Sequence, residues 1–177
     1  MRSLADTIDA LNTRLGRTLS WLTLGIVLVQ FMVVLMRYVF GIGDIAAQEL
    51  ITYMHGFLFM LAAGYTLAVD GHVRVDVFYR TAPPRTKAWV NLLGSICLLL
   101  PMCVTVWMVS WSYVYRSWII FEGSRESSGI QGVFLLKTAI LAFAVLLGLQ
   151  GISLALRSIL ALRGDKDAIA KLTHEQE

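Results

Sequence analysis

Long apolar runs alternate with short polar connections along this chain, and the alternation predicts its elements. Residues 18–36 and 50–69 contain no Asp, Glu, Lys or Arg, residues 88–115 contain none either, and residues 132–156 contain one, Lys137. At about 1.5 Å per helical residue, ~20 residues cross ~30 Å of hydrocarbon, so each run is long enough to span a bilayer. None shows the period-two alternation of barrel strands, and a bilayer offers the backbone no water, so each run is read as a helix. Ahead of them, residues 1–17 place Leu4, Ile8, Leu11 and Leu15 on one helical face, with Asp6, Asp9, Arg14 and Arg17 elsewhere. That pattern predicts an amphipathic segment lying on the cytoplasmic surface. The expected organisation is therefore a surface helix at 1–17, a four-helix membrane domain at 18–162 and a polar cytoplasmic tail at 163–177.

Composition agrees with the pattern. Of 177 residues, 57% are hydrophobic and 15% charged, with a mean hydropathy of +0.68; a soluble domain would be nearer about a quarter charged. The fold class this implies is an all-α integral membrane protein with four transmembrane helices. Eleven Lys and Arg residues lie in the N-terminus, the central connection and the C-terminus, against four (Arg37, Arg116, Arg125 and Lys137) in or beside the other two connections. The positive-inside bias predicts both termini in the cytoplasm, N-in and C-in. The net charge of +3 is explained by that bias, so it does not indicate nucleic acid. An acidic N-terminal region without an Ala-x-Ala-like site argues against a cleaved signal peptide. Cys97 and Cys103 sit six positions apart in the third run and face different directions, which leaves no disulfide framework or metal site.

Polar residues inside so apolar a chain are the candidates for function. Gln30 stands in the first run, where a buried amide is more often a bond to a neighbouring helix than a substrate ligand. Asp44 is placed to cap the second helix, and Glu49 follows in its early turns, where the helix dipole favours an acid. Alternatively Glu49 pairs with Arg37 or with a basic residue of another subunit. His55 and His72 would stand roughly 25 Å apart on a straight helix, so they cannot share one iron, and His55 is expected to bond a neighbouring helix. Gly64 and Ala68 in the second run, and Ala144, Gly148, Gly151 and Ala155 in the fourth, form small-residue stripes that admit a close helix, the chain's own or a partner's. Lys137 is near enough to an end to snorkel outward, and Pro101 is placed to kink the third span.

Gly71-His72-Val73-Arg74-Val75-Asp76 concentrates His, Arg and Asp in the turn between the second and third runs. Extended, it puts the polar side chains on one face; helical, it pairs His72 with Asp76. The plainer reading is a connector with solvated charges. No catalytic set or cofactor-binding motif emerges, so the residues themselves lead to a four-helix membrane protein packing against something else. A small homodimeric exporter would carry an acid in its first span, and this chain has none there.

The run Arg37-Tyr38-Val39-Phe40, the Gln48-Glu49-Leu50 re-entry, the motif from Gly71 to Asp76 and the loop bearing Glu122 and Ser124 resemble the small permease subunit of tripartite ATP-independent periplasmic (TRAP) transporters. The resemblance covers about residues 21–162, and departs where the family often shows Trp-Ser-Glu-Glu and this chain has Ala46-Ala47-Gln48-Glu49. It implies a non-enzymatic subunit without cofactor in the bacterial inner membrane. Its expected partners are the lipid bilayer, a large permease subunit that moves substrate with sodium, and a periplasmic substrate-binding protein that delivers an organic acid or related solute. On that footing Arg37, Glu49, Gly71, His72, Arg74 and Asp76 are expected to be structural or partner-contact residues. A subunit of a membrane redox complex, or a stand-alone homodimeric transporter, is the alternative.

Overall fold

The computed structural model describes residues 1–72, 79, 81–165 and 167–170, and within them the regular structure is entirely helical. Helix α1 (Arg2–Leu19) runs almost directly into α2 (Trp21–Val39), because the intervening Ser20 keeps helical angles, φ −59° and ψ −25°. Asp44 starts α3 (Ile45–Leu61) by accepting from the amides of Ala46 (2.9 Å) and Ala47 (3.4 Å). This cap begins the helix five residues before the apolar run does.

After a break at Ala62, α4 (Ala63–Ala68) closes with Asp70 at φ 56°, so that the amides of Gly71 and Asp70 reach back to the carbonyls of Thr66 and Leu67. That is a Schellman ending, with Asp tolerating the left-handed position usually given to Gly. Gly71 thus terminates the second span. The third span starts at Pro84, whose fixed φ and absent amide suit a first helical turn. It runs as α5 (Pro84–Gly94), a π-helical turn (Ser95–Leu99) and α6 (Leu100–Ile119). Pro101 cannot donate to the carbonyl four residues back and its ring crowds it, and the widened turn lies immediately upstream.

Helix α7 (Val133–Leu162) is the hub. Its 30 residues make it about 45 Å long, and it touches α1, α3, α4, α5 and α6. Ten of its residues are buried, including Ala139, Ala144, Gly151 and Ala155, whereas neither α2 nor α3 has a buried residue. With lipid as apolar as Leu, helices associate through close contact of small side chains, and α7 supplies them. Four helical stretches, 2–39, 45–68, 84–119 and 133–162, are long and apolar enough to cross a membrane.

Helix α1 packs on the half of α7 nearer the termini and on α4. The face it turns to the protein is Ala5, Ile8, Asn12 and Gly16, while Leu4 and Leu11 stay exposed. Small residues explain the choice, since Gly16 lies against the Tyr65 ring and a Cβ there would come within 2.1 Å of it.

Candidate functional site

Polar side chains gather at the two ends of the bundle. At the end formed by the loops 40–44 and 120–132, Glu49 on α3 reaches across to the connection between α6 and α7. It accepts from the Ser124 hydroxyl and from the amide of Ile130 at 2.6 Å. Gly129 is part of the clamp, because a Cβ there would stand 2.3 Å from Ser124 Oγ and 2.6 Å from Glu49 Oε2. Beside it Lys137 Nζ pairs with Glu122 and lies over the Tyr113 ring, 4.0 Å from its centroid. The Lys137 ammonium holds the Glu122 carboxyl below the usual carboxylate range. Trp118 Nε1 donates to Thr138 Oγ1 at 2.8 Å and its ring meets Phe134 edge-on, which fixes the loop's approach. Glu49, Tyr113, Glu122, Ser124 and Lys137 line an open depression of about 700 Å³, in which the carboxylates of Glu49 and Glu122 are already bound within the chain.

The opposite end is tied by α1. Asp9 accepts from Gln150 Nε2 (2.9 Å), Ser153 Oγ (2.6 Å) and Arg157 Nε (2.8 Å), with a further bond from Arg157 Nη2. Asn12, almost fully buried, donates to Gln150 Oε1 at 2.8 Å. Arg157 also reaches Asp6 at 2.9 Å. Beyond it, Arg2 pairs with Asp167 and lies 3.9 Å from Asp165, and the hydrogen bond to the Asp167 carboxylate raises the Arg2 pKa. Sequence reasoning missed this network. Its signal was present: Gln150, Ser153 and Arg157 fall at spacings of 3 and 4 on one face of the last span, opposite acids on α1.

The remaining expectations divide. The structure does not join Glu49 to Arg37: Glu49 is occupied by the loop, and Arg37, in the last turn of α2, is exposed with no ion pair among the described residues. Among the described residues His55 has no hydrogen bond to another helix; it is exposed and stacks on Phe59 one turn further on, ring centroids 6.2 Å apart. Gln30 is likewise exposed, not buried. Lys137 does not snorkel free, its side chain being 13% exposed beneath Glu122.

The small residues of α7 meet the chain's own third span: Gly148 faces Cys103, and a Cβ on Gly151 would come within 2.7 Å of Leu99. Gly64 lies under Asn12 Oδ1 (2.5 Å from a Cβ built there) and the Leu146 carbonyl (3.0 Å), where α1, α4 and α7 converge, and Ala68 is half-buried. His72 is exposed at the end of the second span, and Arg74 and Asp76 lie outside the described residues. Among the described residues no group of three His, Cys, Asp or Glu side chains is placed to hold a metal.

A hub helix with small-residue packing, four membrane-length spans and polar clamps at both ends defines a polytopic α-helical membrane protein. The family model for the DctQ component of tripartite ATP-independent periplasmic transporters matches residues 26–164. The chain belongs to that family, as a small permease component of TRAP transporters. Neither a curated protein nor a solved structure matches it significantly.

Proposed function

We propose that this chain is the fixed small subunit of a TRAP transporter in the bacterial inner membrane, seated beside a large permease subunit that performs sodium-coupled, receptor-dependent uptake of an organic acid or related solute. The observation that carries this reading is the state of its ionisable groups. Glu49, Lys137, Asp9 and Arg157 are each consumed by a bond that fastens one element to another. Groups that carry solute or ions change partners during transport; groups that hold a fold together keep them. The eleven-to-four distribution of Lys and Arg supports N-in and C-in, with α1 and the motif from Gly71 to Asp76 on the cytoplasmic side and the Glu49 clamp on the periplasmic side. In that orientation Leu4 and Leu11 of α1 meet the inner surface of the bilayer.

Reconstitution tests it. Purified chain alone in liposomes, given a sodium gradient and the receptor with its solute, is expected to take up nothing, and addition of the large subunit is expected to start uptake. Solute accumulation by this chain alone would refute the reading and favour a stand-alone transporter.

A further inference from the structure

Helix α2 is packed on one side only. It touches α3 and α1, and none of its 19 residues is buried. Its half-buried residues are Leu22, Gly25, Ile26, Val29, Val33, Leu35 and Met36, and all but Leu35 fall on one side, toward α3, where Gly25 meets Met54. Roughly a third of a turn away, Thr23, Val27, Gln30, Val34 and Arg37 are all exposed. Their spacings of 4, 3, 4 and 3 keep them within about 80° of the helix circumference over its whole length. That 3.5-residue repeat is the geometry of a seam between two helices.

The seam is not merely apolar. Gln30 is the tenth residue of α2, about 14 Å from either end, so its amide stands near the middle of the span. Among the described residues neither the Gln30 nor the Arg37 side chain has a hydrogen bond or ion pair within the chain. Hydrocarbon supplies no partner for an amide, and the Gln side chain is too short to reach an interface from mid-span. A lipid-facing position leaves it unsatisfied; a second helix does not.

We propose that the Thr23–Gln30–Arg37 seam is the docking surface for a transmembrane helix of the large permease subunit, one that offers Gln30 a side-chain hydrogen-bond partner and Arg37 a carboxylate or helix C-terminus. The inference rests on the reading of this chain as a TRAP small subunit. Charge selects against a second copy: two copies in one membrane run parallel, and a two-fold axis along the seam brings one Arg37 against the other at the same level. A permease helix carries no such restriction.

The test co-expresses the full, tagged chain with the large subunit and measures the amount co-purified in mild detergent. Gln30→Leu and Arg37→Leu, which keep the span apolar and able to insert, are expected to lower recovery of the large subunit at least tenfold, and Gln30→Asn to restore most of it. In a chain with Cys97→Ser and Cys103→Ala, Val34→Cys labelled with a benzophenone maleimide is expected to photo-crosslink to the large subunit. Val109→Cys, on the exposed face of α6, is expected not to. Wild-type recovery from both Leu variants, or a Val34→Cys adduct with the mass of two copies of this chain, would overturn the seam while leaving the subunit reading intact. Failure of the unmodified chain to co-purify would instead overturn the subunit reading itself, and the seam with it.

Discussion

The bond set around Asp9 should decide whether α1 stays on the bundle. Asp9→Ala removes the acceptor for Gln150, Ser153 and both donors of Arg157. Hydrogen bonds to a charged group contribute about 1.5–3 kcal/mol each, but these share one carboxylate and do not add. The Asp9 side chain is 25% exposed, Arg157 keeps its 2.9 Å contact to Asp6, and Ser153 keeps the Ala5 carbonyl at 3.2 Å. After that discount the loss is about 2–4 kcal/mol. At 1.36 kcal/mol per tenfold, local opening of α1 becomes roughly 30- to 1,000-fold more frequent. Hydrogen exchange in detergent micelles reads it directly: amides of α1 should exchange faster by that factor while those in the middle of α7 hold. Asp6→Ala, at a carboxylate 53% exposed, should change exchange by less than about fivefold. If Asp9→Ala leaves α1 protection within threefold of the parent, the Asp9 network does not hold α1 in place.

Three further outcomes follow from the same geometry. Gly129→Ala drives a methyl into Ser124 Oγ and Glu49 Oε2, so limited proteolysis should cut the 122–131 loop several-fold faster, and Glu49→Gln should do the same; an unchanged cleavage rate in both would dissolve the clamp. Glu122 has its carboxyl held low by Lys137, so its contribution is complete above the unfolded carboxylate value of about 4.3 and lost as pH falls through the lower folded value. Loop protection, taken relative to the intrinsic exchange rate at each pH, should therefore be flat from about pH 5 to 8 and fall under stronger acid, and Glu122→Gln should remove that acid step. Gly64→Leu forces a branched side chain between Asn12 and the Leu146 backbone, and overpacking of this kind costs about 1–3 kcal/mol or more; a thermal midpoint in detergent equal to the parent's would show that α1 is not seated there.

The four spans were legible because hydrocarbon thickness and backbone hydrogen bonding leave so few options for an uncharged run of this length. Their boundaries were less so, since caps rather than hydropathy set them: Asp44 extends the second helix outward, and Pro84 starts the third before its apolar run. The third span's continuity hides a π turn before Pro101 that no hydropathy pattern encodes. Small residues on α7 were legible as a packing stripe, yet the identity of the opposing helix depended on tertiary placement and is the chain's own third span. The Asp9 network escaped because its two halves lie about 140 residues apart, each looking locally like an ordinary polar face. Conversely, the motif from Gly71 to Asp76 drew the eye by its charge, whereas the element that organises the packing is α7.

Polar residues within the spans separate into two groups by depth, and the separation explains what sequence reasoning could and could not assign. Near the ends, where chain reversals bring loops close, Glu49 and Lys137 find partners in the same polypeptide. At mid-depth a partner must come from another helix at the same level, and the neighbour of α2 inside this chain covers only one of its sides. A rule that a polar residue in a span seeks a neighbouring helix therefore holds for both groups, but only the tertiary arrangement says whether that helix is in the chain. Gln30 is exposed on α2 and its side chain has no bond among the described residues, so the amide that looked like internal glue is not bonded inside the chain. A subunit built this way can be stiff in itself, clamped at both ends around α7, while α2 keeps a long face that its own helices leave bare.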